Sequence, residues 1–198
     1  MFTIKEQYEI EIEVKKSTFI SHLVTICNFE SLYIELKKIH PKANHIVWAK
    51  RYLNEYNQVV ENCSDDGEPK GTSGPPILNV MRGFELIECG LLVVRYFGGI
   101  KLGTGGLVRA YGSSAKEVIA NAKLVEYVKK EKLDFFTIYS ICDRFEHFIK
   151  KEGLEIIKKE YLADGVEWSL RLSEVEKSKF LDFATSYKRG VFKLLVEQ

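Results

Sequence analysis

Residues 91–112, LLVVRYFGGIKLGTGGLVRAYG, constrain the fold more than any other stretch of the chain. Leu91, Leu92, Val93 and Val94 show no polar alternation, so they read as a strand covered on both faces. Glycine then dominates: six of the chain's 14 glycines lie between Arg95 and Gly112. From Gly106 onward Leu107, Ala110, Tyr111, Ser114, Val118 and Ile119 recur at helical spacing, with Arg109, Ser113, Lys116 and Glu117 opposite. A buried strand, a glycine turn and a long amphipathic helix must therefore follow one another.

That order makes an anion site. Glycines let the backbone approach a ligand, the first amides of a helix lack internal partners, and the macrodipole favours negative charge there. Around Gly98, Gly99, Gly103, Thr104, Gly105 and Gly106, the side chains of Arg95, Lys101 and Arg109 would add positive charge for phosphate. Established phosphate motifs do not match. A dinucleotide fingerprint starting at Gly103 and Gly105 meets Val108 at its third glycine, and a P-loop from Gly98 to Gly103 meets Thr104 where lysine belongs. Close packing of strand on helix would also demand glycine without any ligand.

The whole chain bounds the partners. Its 198 residues suit one large domain or two small ones, and 45% hydrophobic content argues against disorder. A net charge of +1, from 29 Lys and Arg against 28 Asp and Glu, means that a polyanion must be met by a local patch. The opening MFTIKEQYEIEIEVKK lacks the apolar core of a signal peptide, and no run approaches the roughly 18 apolar residues of a membrane span. A cytoplasmic protein without a membrane partner is expected. Cys27, Cys63, Cys89 and Cys142 form no CxxC pair and have no histidine at ligand spacing, as reduced and mostly buried thiols would.

Two domains are expected, 1–130 and 131–198. In the first, Tyr8, Ile10, Ile12 and Val14 alternate with Glu9, Glu11 and Glu13 as a half-buried strand, paired with a second over about 19–26. Asn28 would cap a helix that Pro41 ends, and 44–53 would form the next strand. Glu61 to Pro76 reads as a loop, with Pro75 and Pro76 opening a helix to about Phe84. The second domain reads strand 133–139, helix 143–152, strand 155–162, strand 166–172, helix 173–187 and strand 191–196. Ser173 and Glu176 are spaced as a capping box. This βαββαβ order is ferredoxin-like.

Two further stretches carry candidate chemistry. In SDDGEPKGTSG, Asp65, Asp66 and Glu68 could hold magnesium, and Lys70, Thr72 and Ser73 beside them could contact phosphate. Such residues also commonly bond their own loop or cap the next helix. In the strand after Asn44, alternation puts His45, Val47, Ala49 and Arg51 on one face. His45 and Arg51 there, beside Trp48 and Tyr52, could contact nucleic acid. No GxSxG elbow surrounds Ser73, and carboxylates next to Cys63 would make it a poor nucleophile.

SDDGEPKGTSGPP at 64–76 followed by VVRYFGGIKLGTGGLVRAYG at 93–112 closely resembles the IMPACT family in its bacterial two-domain, YigZ-like form. The likeness extends to KKSTFIS at 15–21 and to the His45 strand, although NHIVWAKRY lacks the asparagine and cysteine that follow the histidine in many relatives. The resemblance implies an α+β fold: an N-terminal βαβ domain of the type in domain IV of elongation factor G, then a ferredoxin-like domain resembling its domain V. It also implies a link to translational regulation, which the eukaryotic members exercise through protein contacts. The leading expectation is a non-enzymatic module that binds RNA or a ribosome-associated surface. Two alternatives stay open: a magnesium-dependent enzyme acting on a nucleotide-like or phosphorylated small molecule, and a protein-binding adaptor.

Overall fold

In the computed structural model, which describes residues 1–187 and 191–195, the chain divides into two units, Met1–Tyr127 and Val128–Gln198. The first opens with a short strand β1 (Phe2–Thr3) and a hairpin of β2 (Tyr8–Val14) and β3 (Ser17–Thr25). Tyr8, Ile10, Ile12 and Val14 pack inward, while Glu9, Glu11 and Glu13 are exposed. Lys15 and Lys16 close the hairpin at φ 48° and 65°, the left-handed pair of a two-residue type I′ turn. Gly98 passes directly over this turn. A Cβ on Gly98 would sit 1.8 Å from the Lys16 carbonyl oxygen, and its amide donates to Ser17 Oγ at 3.2 Å. Close packing is thus the reason for glycine at position 98.

Helix α1 (Phe29–Ile39) follows a single 3₁₀ turn. Asn28 occupies its cap position but makes no side-chain cap bond, contrary to the sequence expectation. Phe29, Leu32 and Leu36 are buried on one stripe, each worth about 1.5–3 kcal/mol. Next come β4 (His45–Leu53), β5 (Val59–Ser64), α2 (Gly74–Gly83), β6 (Cys89–Tyr96), α3 (Thr104–Ala120) and β7 (Val125–Glu126). The expected loop over 61–76 is thus too long. Residues 61–64 pair with β4 as an edge strand despite their polarity, with Cys63 turned to the core, and Pro75 and Pro76 open α2 as expected.

The five-stranded sheet has the order β2-β3-β6-β4-β5, antiparallel throughout, with β1 and β7 paired separately. Both β3 and β4 pair with β6, so they run in the same direction, and the β3–α1–β4 crossover is a βαβ unit with β6 inserted. Strand β6 is the centre. Leu91 and Val93 face the core shared with α2 and α3, whereas Leu92 and Val94 face the cluster under α1. The absence of alternation in LLVV is explained by these two layers.

The second unit runs β8 (Lys130–Ile138), α4 (Tyr139–Glu152), β9 (Glu155–Tyr161), β10 (Gly165–Ser173), α5 (Glu174–Thr185) and β11 (Phe192–Leu195). The sheet order β11-β8-β10-β9 is that of a ferredoxin-like fold. Phe135, Phe145, Trp168 and Phe180 fill its core. Helix α4 begins four residues before the expected Asp143 and ends at Gly153, whose φ of 65° supplies a left-handed cap. Val196, expected in the last strand, lies outside the described residues. All four thiols are free; Cys89 and Cys142 are buried, Cys63 is half-buried and Cys27 is exposed, which corrects the expectation for Cys27. Among the described residues no helix is long and apolar enough to cross a membrane.

The capping box at α5 is complete. Ser173 N donates to Glu176 Oε2 at 2.7 Å and Glu176 N donates to Ser173 Oγ at 3.3 Å. Ser173→Ala is expected to lower stability by about 1 kcal/mol, read as a shifted urea midpoint.

Candidate anion-binding site

Segment 65–73 folds around its own first carboxylate. Asp65 Oδ2 accepts from Gly71 N (2.7 Å), while Oδ1 accepts from Ser73 N (3.0 Å), Ser73 Oγ (2.7 Å) and Gly74 N (2.9 Å). It therefore caps α2, where a negative charge also meets the macrodipole favourably. Burial pushes its carboxyl up, but the donors from Gly71, Ser73 and Gly74 outweigh that and hold it below the usual range. Asp66 takes a different role. At φ 45° it sends Oδ2 to Ile46 N (2.6 Å) and its carbonyl to His45 Nδ1 (2.6 Å), so it ties the loop to the start of β4.

Glu68 points the other way, into the protein. Its side chain is 3% exposed and accepts from Arg95 Nη1 on β6 and from Tyr111 Oη on α3 (2.8 Å). Burial and the Glu68 carboxylate push the Tyr111 hydroxyl far above its ordinary value, so it stays a donor. The Arg95 guanidinium sits 5.6 Å from the Phe19 ring and 5.8 Å from the Phe97 ring. Among the described residues its Nε has no hydrogen-bond partner although it is buried.

These partners occupy the three carboxylates expected to hold magnesium. Asp65, Asp66 and Glu68 are aimed at three different places, and no three His, Cys, Asp or Glu side chains gather at metal-binding distance among the described residues. The donor set does not fit a divalent ion.

Beside Glu68 opens a cavity of 390 Å³ whose walls include His45, Glu68, Arg95, Phe97, Lys101 and Thr104. Three elements meet there: the first residue of β4, the last turns of β6 and the N-terminus of α3. Gly103 is the N-cap at φ 70°, a conformation that favours glycine, and it caps nothing with a side chain. Leu107 N is the first amide to bond back, to the Gly103 carbonyl at 2.9 Å. The amides of Thr104, Gly105 and Gly106 are consequently the unsatisfied first turn of the helix. Asn44, also on the wall, accepts Phe97 N at 2.7 Å and holds that exposed ring at the rim.

Several expected contacts stand elsewhere. Arg51 spends its guanidinium on Glu61 (2.8 Å) and on the Leu86 carbonyl (2.7 Å) just past α2, because a cation there meets the negative end of the helix. Arg109 lines a separate depression with Lys15, since it lies more than a turn into α3. Thr72 Oγ1 donates to the Pro69 carbonyl at 2.6 Å and Ser73 is held by Asp65, so both serve the loop itself. Lys70 is exposed and off the cavity wall, Gly98 packs on Lys16, and Gly99, at φ 85°, shapes the approach to the helix. Tyr111, Asn44 and Phe97 were not singled out from sequence. Tyr111 reads there as an ordinary inward residue of a helix, and nothing local signals that its hydroxyl meets a carboxylate 43 positions away.

Comparison with known proteins matches the Impact N-terminal domain to residues 15–119. The chain is 34% identical over 192 residues to IMPACT family member YvyE of Bacillus subtilis, covering 96% of this chain and 87% of that one. It is 31% identical to IMPACT family member YigZ of Escherichia coli, covering 92% and 91%. A crystal structure described as that of a hypothetical protein superposes with a TM-score of 0.74 at 27% identity, over 100% of this chain and 97% of the other.

Two outcomes test the loop. Asp65→Ala is expected to cost about 2 kcal/mol at pH 7 through its lost charged hydrogen bonds. Because the folded carboxyl is held low, its contribution is full above about pH 4 and is lost as pH falls through the folded value, so the two unfolding curves converge in acid. Glu68→Ala, which leaves Arg95 buried without its carboxylate, is expected to cost about 3–5 kcal/mol in the same denaturation assay.

Proposed function

This chain belongs to the IMPACT family, and from that premise we propose that it is a translation-associated module whose N-terminal unit binds RNA, at or near a ribosome-associated surface, through phosphate held in the cavity at the start of α3. The observation that carries the reading is the uncapped first turn of α3 on the same cavity wall as Lys101 and His45. Amides and a lysine bind phosphate without reading a base, so weak sequence preference is expected. Phe97, 45% exposed at the rim, offers a face on which an unpaired base can stack. The translational context draws on family membership and a protein partner in that process fits it equally.

A magnesium-dependent enzyme ranks lower, because the three carboxylates already have protein partners. GSSA at 112–115, which echoes a kinase phosphate loop, lies inside α3 rather than at its start. A protein-binding adaptor is the second reading, favoured by an open groove of 610 Å³ between α4 and α5. Arg144, His147 and Lys151 there flank Phe148 and Phe183, whose rings stack at 4.1 Å.

Single-stranded RNA titrated by fluorescence anisotropy at several salt concentrations separates the basic residues. Lys101→Ala is expected to weaken binding and to flatten the slope of log K against log salt by roughly 0.7 for one lost phosphate contact. Arg109→Ala, on the neighbouring depression, should leave more of the wild-type slope. Unchanged binding by Lys101→Ala would remove the cavity from the account.

A further inference from the structure

The cavity holds a proton acceptor as well as anion donors, and we infer that it cleaves single-stranded RNA by transesterification, with His45 receiving the proton of a ribose 2′-hydroxyl. The inference rests on the phosphate-binding reading above. His45 Nδ1 lies 2.6 Å from the Asp66 carbonyl oxygen, which can only accept, so Nδ1 carries the hydrogen and the neutral ring keeps its lone pair on Nε2. Glu68 Oε1 lies 3.9 Å from Nε2, too far for a hydrogen bond. A ring nitrogen on the cavity wall, with the imidazole oriented through its other nitrogen, is the arrangement that general-base chemistry needs.

The opposite requirement, donors for developing negative charge, is met on the same cavity by Lys101 and by Thr104, the first residue of α3, whose amide has no acceptor within the helix. Arg95 on the same wall adds positive charge, although its Nη1 is held by Glu68. A protein nucleophile is what the wall lacks: it has no serine or cysteine, and its one aliphatic hydroxyl belongs to Thr104 in the first turn of α3. A base and anion donors without a nucleophile suit a ligand that brings its own. RNA does so, because each phosphodiester lies next to a 2′-hydroxyl.

The step balances within the site. His45 Nε2 takes the 2′-hydroxyl proton as the 2′-oxygen bonds to phosphorus, and the bond from phosphorus to the 5′-oxygen breaks. The leaving 5′-oxygen takes a proton from the Lys101 ammonium, and solvent exchange then returns both side chains to their starting states. The products are a 2′,3′-cyclic phosphate and a 5′-hydroxyl, with no oxidant, nucleotide or other co-reactant consumed.

The test incubates the full chain with a labelled single-stranded oligoribonucleotide in the presence of EDTA and identifies the ends by mass spectrometry. His45→Asn is the informative variant, since its amide nitrogen can still donate to the Asp66 carbonyl from the Nδ1 position while Nε2 is gone. Wild type is expected to yield 2′,3′-cyclic ends, and His45→Asn to cleave about 10²–10⁴-fold more slowly when compared at saturating RNA. An oligomer with one 2′-deoxyribose should resist cleavage after that position, an arm that requires no variant to fold. Binding without cleavage by wild type would overturn this inference and leave the binding reading standing, whereas absence of RNA binding would overturn both. Cleavage at an unchanged rate by folded His45→Asn, or cleavage at the deoxy position, would also overturn it.

Discussion

One buried carboxylate joins the loop, the central strand and the long helix of the N-terminal unit. Glu68 is supplied by an exposed polar loop, yet it is clamped beneath that loop by Arg95 from the central strand and Tyr111 from the long helix. In so dry a place an unpaired charge is costly, so the three groups are stable only together. This requirement fixes where the loop sits on the sheet and helix. The loop in turn presents Asp66 to His45 and closes one side of the cavity. The cluster is thus a structural reason for acidic residues that, in sequence, invite a metal.

The glycines divide by physical cause. Gly98 is required by the approach of the β2–β3 turn, where any side chain would collide with backbone. Gly103 adopts φ 70° with nothing within 4 Å of a Cβ position, so conformation rather than space favours glycine there. Gly105 also has open space around it, within the turn whose amides have no internal acceptor. Packing and backbone conformation thus account for glycine at different residues of the stretch. The same argument separates the cations: Lys101 precedes the helix and reaches the cavity, whereas Arg109 is carried around the helix by its own periodicity.

The ferredoxin-like unit is plainer in its chemistry and was the more legible half. The capping box at Ser173 is a local signal, and a local interaction satisfies it. In the N-terminal unit the apolar run of β6 announced a strand with two covered faces, and the shift to helical period announced α3 within two residues of its start. Strand β5 escaped notice, because residues 61–64 are polar and gain strand geometry only from pairing with β4. Arg51 looked like a nucleic-acid contact for a comparable reason: its partners Glu61 and Leu86 arrive from other elements.

From its residues alone the chain determined most of its elements, its two-part organisation, its family and the existence of a glycine-lined helix start, since each is written in short stretches of sequence. Tertiary structure decided which charges face one another. That Glu68 serves Arg95 and Tyr111 and that His45 shares a cavity with Lys101 depend on contacts between residues distant in sequence. Long-range electrostatics and burial, which act only once the sheet has assembled, assign such roles. No local pattern in the sequence encodes them.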